Sequence, residues 1–352
     1  MTRMMDAPDI APDAEDLGAV VAEQAERLFE RRVDRDTLAA ADRGEWQAEL
    51  WTAVEEAGLP LALLDEDAGG VGLPPVAAFG LIRLAARHAA PVPLGETMVA
   101  AALWGAPLEG PATLAPGTAP DGHGRLARLA FGRDAAQALI HAGGSRAALV
   151  PLAGRTLVHD RSLANEPRDA LELSGLPADA IREVPGLGPD GLAPHGALIR
   201  AAQMSGAMDR ALEMAVAYAN EREQFGRPIA KFQAIQQMLA EAAGHVAAAS
   251  AIVDMAAEAW GTEDFDFAAG LAKSRTGEAA GRVSAIVHQV HAAMGFTQEH
   301  GLHFLTRRLW SWREEFGAES WWEERIGRRI CAAGGEALWP AIVDVTAAGA
   351  RA

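Results

Sequence analysis

Apolar residues near the start of the chain fall into a helical rhythm. "EDLGAVVAEQAERLFERRV" places Leu17, Val20, Val21, Ala25 and Leu28 on one face with charges opposite, the spacing of an amphipathic helix. "EWQAELWTAVEEAGL" repeats the pattern, and Gly58 supplies a stop at its end. "PLALLDEDAGGVGLPP" is an apolar run followed by a Gly-rich loop, which reads as a turn between helices. "VAAFGLIRLAARHAAPVPLGETMVAAALW" then completes a helical unit over residues 15–105, and residues 1–14 are expected to be disordered.

The rhythm changes after residue 105. "RLARLAFG", "RAALVPL", "GRTLVHD", "ALELSG" and "AIREVPG" are short alternating or β-branched runs separated by turn residues, which argue for strands. They are too few for a large barrel, so residues 106–192 read as a small β unit. From "HGALIRAAQMSGAMDRALEMAVAYANEREQFG" the pattern is helical again. Met204, Met208, Leu212 and Val216 recur every four residues as a stripe expected to face a core. The next helix, from Phe232, carries Ile235, Leu239, Ala242 and Val246 at similar spacing. "DFAAGLAKSRTGEAAGRVSAIVHQVHAAMGF" is a third long helix with Gly295 near its end, and "ALWPAIVDVTAAGARA" is expected to close the chain as a fourth. The order predicts a mainly α protein with a small β middle unit.

Composition narrows the function. The 352 residues, half of them hydrophobic, are enough for two or three packed cores. The formal net charge is −17, and the only lysines are Lys231 and Lys273. Such a chain repels nucleic acid, although a local Arg cluster can still take an anion. A single cysteine, Cys331, excludes an internal disulfide and fits a reduced, cytoplasmic setting. The N-terminal stretch lacks a signal peptide's apolar core, and no window is continuously apolar over the roughly 18 residues of a membrane span, so no membrane is expected.

No phosphate-binding Gly-Lys loop, dinucleotide fingerprint, zinc-protease helix or nucleophile elbow occurs. His288 and His291 share a helical face, where a core or capping role outweighs metal ligation, so no metal is expected. Trp310, Trp321 and Trp322 could cover a ligand or pack as an amphipathic helix, with packing favoured. "NEREQFGRPIAKFQAIQ" is more particular. Arg222 carries a rigid fork suited to a phosphate or pyrophosphate, Gly226 permits a turn, Pro228 can start a helix, and Gln233 lies one turn further on. The plainer alternative is a capped turn with a solvated Arg.

At this corner the chain resembles the acyl-CoA dehydrogenase family. "YANEREQFGRPIAKFQAIQQMLAE" follows the family's R-x-x-F-G-x-x-(I/L) and F-Q segments, and "HQVHAAMGFTQEHGL" is similar to its Q-x-x-G-G-x-G-F/Y segment about sixty residues later. "LWTAVEEAGLPLALLDEDAGGVGLPPVAAFGLIRLAAR" looks like its helical first domain, so the resemblance spans roughly residues 15–335. It implies an N-terminal helical domain, a β middle domain and a C-terminal four-helix bundle over 193–352. It also implies FAD, with Arg222 on the pyrophosphate, Phe225 packed on the dinucleotide, and Gln233 and Gln289 at the adenosine end. In the family these contacts reach the flavin of a neighbouring subunit.

Departures matter too. The family's T-E-P-x-A-G-S-D and W-I-T-N segments are missing from the middle region, and Ala292 and Ala293 replace paired glycines. Where the family places its catalytic Glu, this chain has Phe316–Gly317 in "REEFGAES", with Glu315 one residue off, or His195–Gly196 in "LAPHGALIRAA". This resembles the smaller, non-catalytic subunit of heterotetrameric, steroid side-chain acyl-CoA dehydrogenases. The implied activity is FAD-dependent α,β-desaturation of an acyl-CoA, with a partner subunit supplying the base and an electron-transfer flavoprotein taking the electrons. A self-sufficient homotetramer using Glu315 and a flavin-free structural paralogue are the alternatives.

Overall fold

The computed structural model describes residues 14–176 and 180–347. The segment expected to be disordered lies outside the described residues apart from Ala14, the first residue of α1 (Ala14–Arg32). That helix buries Ala25, Leu28 and Phe29, whereas Val20 is 48% exposed. Val20 precedes Val21 by one position, hence about 100° round the helix, and falls off the inward strip. A second helix, α2 (Arg35–Arg43), was not distinguished in the pattern. The Asp34 carboxylate caps it by accepting from the Thr37 amide at 2.8 Å, and Gly44 ends it at φ 91°.

α3 (Ala48–Glu56) turns Leu50, Trp51 and Val54 inward, and Gly58 follows it in the left-handed region at φ 70°. The Gly-rich turn then leads into α4 (Pro75–Arg87) and α5 (Leu94–Trp104). α5 is buried almost all round, Glu96 included.

Seven strands follow: β1 (Ala112–Thr118), β2 (His123–Ala130), β3 (Gln137–His141), β4 (Arg146–Pro151), β5 (Leu157–Val158), β6 (Arg168–Ser174) and β7 (Ile181–Glu183). They form a four-stranded sheet, β1-β3-β4-β7, and a three-stranded sheet, β2-β6-β5. Only β1 and β3 pair in parallel. Leu126, Leu129 and Leu171 of one sheet meet Ala138, Ile140 and Val150 of the other in a core of their own. β1 and β3 were not anticipated, because "ATLAPGT" holds a Pro and a Gly and "QALIH" is only five residues long.

The last third is built on three long helices, α6 (Ala193–Glu221), α7 (Gln233–Glu258) and α8 (Phe265–His291). Between α6 and α7 lies a two-stranded hairpin, β8 (Glu223–Gln224) and β9 (Arg227–Pro228). α9 (Leu302–Arg313) packs on α6 and α8, and α10 (Glu319–Ala333) on α8. The fourth helix of the bundle is therefore this broken pair. The closing segment forms α11 (Leu338–Ala347), which packs mainly on the turn preceding it.

The expected methionine stripe also bends away. Met204 and Met208 are fully buried, but Val216 is 40% exposed. A four-residue step overshoots a turn by about 40°, so Ala211, Ala215 and Ala219 take the core instead. α4 docks this bundle to the N-terminal unit so closely that a Cβ on Gly206 would overlap the Arg83 carbonyl.

Helix α7 is long and apolar enough, by length and composition alone, to cross a membrane, yet it packs against both α6 and α8 in the bundle.

Candidate functional site

Two places bear on chemistry: an exposed corner of the bundle and the buried junction of the three units. At the corner, α6 ends at Glu221 and Arg222 leaves it in an extended conformation. Phe225 and Gly226 join β8 to β9 with both residues at positive φ, 54° and 75°. Left-handed backbone at both central positions is the turn that matches a hairpin's twist, but for Phe it is strained. Phe225 is 91% exposed, and its ring meets Phe232 edge to face, 6.1 Å between centroids.

The hairpin is nevertheless held in place. The Ile229 amide donates to the Arg222 carbonyl at 2.8 Å, and the Ile229 side chain is buried in the bundle core. Arg227 lies over the Phe232 ring at 4.4 Å. α7 begins at Gln233 with no side-chain cap, which leaves its first amides available to an anion. Arg222 and Gln233 are exposed, and neither side chain has a hydrogen bond or ion pair among the described residues.

Gln289 is exposed near the end of α8. Tyr218 of α6 stacks on His291 of α8, 4.8 Å between centroids, so these two helices end together. The structure thus brings Arg222, Phe225 and Gln233 to one corner, with Gln289 at the same end of the bundle. An unpaired guanidinium, an exposed ring and uncapped amides fit the pyrophosphate and adenosine portion of FAD. Just beyond, Ala292 sits at φ 51°, a conformation that suits glycine, and it is exposed. His288 and His291 are packing residues: His288 Nε2 pairs with Thr306 Oγ1 at 3.0 Å, and His291 Nδ1 with the Val287 carbonyl at 2.7 Å. Trp322 is likewise a packing residue, its indole donating to the Phe316 carbonyl at 3.0 Å.

The buried junction holds both positions at which a base was sought. Phe316, at φ 53°, turns its ring onto Gly196, where an added Cβ would overlap it. The two sequence positions therefore meet at one point in space, and an aromatic ring fills it. The loop is fastened by Lys273, whose ammonium donates to the carbonyls of Arg313 and Gly317 at 2.6 and 2.8 Å. Burial pushes the Lys273 amine down to about 8. His195 is buried against Trp260 and Phe265, and burial pushes its imidazole down to about 4, so it is neutral at pH 7.

Both carboxylate oxygens of Glu315 are taken up by arginines. Its carboxylate is buried, accepting from Arg168 Nε at 2.7 Å and Arg200 Nε at 2.6 Å. Burial alone would raise its pKa, but the attraction of Arg168 and Arg200 outweighs burial and holds it below the ordinary value.

These contacts are part of a longer alternation of charge. Glu96 of α5 lies 2.7 Å from Arg200 of α6, without the alignment of a hydrogen bond. Arg168 of β6 pairs with Glu166 at 2.9 Å, and Glu166 with Arg308 of α9 at 3.0 Å. All six charged groups are at least 94% buried, and they alternate in sign through the meeting point of all three units. On the Glu96 side the space lined by Glu96, Arg168, Arg200 and Trp312 is about 10 Å³, roughly one water, whereas a cavity of about 300 Å³ lined by Leu163, Trp310 and Glu314 reaches Arg168 and Glu315. Except for Glu315, these residues were not singled out from the sequence. The available signal was a charge set inside an apolar helix, as in "LGETMVAAAL" and "ALIRAAQM".

Comparison with known proteins agrees with this layout. Residues 192–331 match the family described as acyl-CoA dehydrogenase, C-terminal domain. The chain is 28% identical over 303 residues to acyl-CoA dehydrogenase IpdE2 of Mycolicibacterium smegmatis, covering 82% of this chain and 91% of the relative. Among solved structures it superposes on the Tcur3481-Tcur3483 steroid ACAD, G363A variant, with a TM-score of 0.80 and 25% identity, covering 91% of this chain and 99% of that one. The ChsE4-ChsE5 complex from Mycobacterium tuberculosis gives a TM-score of 0.79 at 22% identity, covering 92% and 98%, a likeness of fold.

Proposed function

We propose, from the premise that the chain belongs to the acyl-CoA dehydrogenase family, that it is the flavin-supporting, non-catalytic subunit of a two-chain acyl-CoA dehydrogenase. The observation that carries this reading is a contrast between its two sites. The outward-facing corner keeps a free guanidinium, an exposed ring and uncapped amides, while the interior position for a base holds Phe316 on Gly196.

On this reading Arg222 pairs with the pyrophosphate of an FAD seated mainly in a partner subunit, Phe225 packs on the dinucleotide, and Gln233 and Gln289 hold its adenosine end. When bound, the flavin supplies the hydride-accepting ring for α,β-desaturation. The α-proton goes to a carboxylate of the partner, since Glu315 is already shared between two arginines. Glu96 and Arg200 line a space of only about one water, too small for an acyl chain. An acyl-CoA, with a steroid-type acyl group as the favoured class, would therefore bind in the partner. An electron-transfer flavoprotein and a cytoplasmic setting complete the proposal.

Co-expression with candidate dehydrogenase partners, followed by a flavin spectrum and subunit ratio, tests it. The expected result is a colourless chain alone and a yellow complex with equal numbers of the two chains. A yellow, dye-reducing homotetramer would overturn it in favour of a self-sufficient enzyme. A complex whose flavin content ignores Arg222 would favour a purely structural subunit.

A further inference from the structure

A second cavity opens at the junction of the three units, away from the flavin corner. Its volume is about 450 Å³, within the size range of small-molecule sites, which favour such junctions between units. One wall is a set of touching aromatic rings: Trp260 and Phe265 meet edge to face at 5.1 Å, and His195 packs on both, at 5.3 and 4.8 Å. The imidazole is 3% exposed, and its Nδ1 has no hydrogen-bond partner.

Trp104 of α5 also lines the cavity, and the Arg182 guanidinium of β7 lies 3.5 Å from its ring centroid. Among the described residues Arg182 has no ion pair and no side-chain hydrogen bond. Burial lowers its pKa. In a chain of net charge −17, a guanidinium stacked on indole with no acid partner among the described residues can take a carboxylate. Asp65 and Glu183 stand on the same lining and disfavour a ligand carrying more than one negative charge.

We propose that this cavity binds a planar aromatic monocarboxylate, its ring against Trp260 and Phe265 and its carboxylate on Arg182. A fork-to-carboxylate contact supplies direction, and the aromatic wall supplies apolar area. This site is independent of the flavin assignment.

Calorimetric titration of the purified full chain with 2-naphthoate tests the proposal. Saturable binding at one site per chain is expected, with the uncharged 2-naphthamide and the dianionic 2-naphthyl phosphate each weaker by about tenfold or more. Arg182→Gln should lower naphthoate affinity by about tenfold and leave naphthamide unchanged, with Arg182→Lys recovering part of the loss. Equal affinities for acid and amide, or no saturable binding of naphthoate, would overturn the proposal. The acid–amide comparison is made on the unaltered chain, so it decides the matter even if Arg182→Gln folds poorly.

Discussion

The ring of Phe316 lies on the backbone of Gly196, so the two places where a catalytic carboxylate could stand are one place, already filled. Gly196→Ala should therefore destabilise the chain by about 1–3 kcal/mol, since the added methyl meets a ring pinned by its loop. Phe316→Ala should cost about 3–5 kcal/mol through the cavity it leaves. The double variant should cost less than the sum, because the new methyl partly fills that cavity. Urea unfolding of the three variants checks all three statements.

The Arg222 side chain has no hydrogen bond or ion pair among the described residues, so its removal breaks neither. Arg222→Ala should leave the melting temperature of the isolated chain within about a degree, as for other surface changes. In the proposed two-chain complex the same change should lower flavin retention by about tenfold, with Arg222→Lys intermediate, because lysine keeps the charge and loses the fork. Flavin absorbance per protein after gel filtration gives the answer.

Glu315→Gln should cost about 3–5 kcal/mol in stability, because it strips one partner from two buried guanidiniums. A base without structural duties would behave in the opposite way, losing turnover and keeping stability. Denaturant midpoints of the variant and the parent chain distinguish the two.

Two buried titrating groups set opposite ends of the pH profile. His195 titrates near 4 in the fold and near 6.5 when unfolded, so across that window the unfolded chain binds the extra proton. Its contribution to stability is complete above 6.5 and disappears as pH falls toward 4. Lys273 titrates near 8 in the fold against 10.5 unfolded, so again the unfolded chain holds more protons between those values. The cost of burying its ammonium is full below 8 and fades as pH rises to 10.5. Relative to Lys273→Met, the parent chain should gain about 3 kcal/mol over that alkaline window, measured by urea unfolding at a series of pH values.

Long helices were legible in the sequence because burying one face writes a period of about 3.6 into it, and α6, α7 and α8 were placed within a few residues. The strict four-residue stripe to Val216 failed for the same geometric reason that the helices were visible. β1 and β3 were missed because their pairing, not their composition, makes them strands. At the corner, the types and order of Arg222, Phe225 and Gly226 were visible, but the left-handed backbone of Phe225 was not. The buried charges were the least legible feature. Glu96, Arg200, Arg308 and Glu315 are far apart in the chain, and tertiary packing gives them their opposites; only the Arg168–Glu166 pair is local.

The Phe225 ring stands almost wholly in solvent, on a backbone turn that phenylalanine adopts only under strain. On the proposed reading, a cofactor gripped there is gripped from one side and must be completed by another surface. Cofactor uptake and subunit association then become linked equilibria: the factor by which the second chain tightens the flavin is the factor by which the flavin tightens the pair. Diluting the assembly should release its colour, and adding FAD should draw it back together.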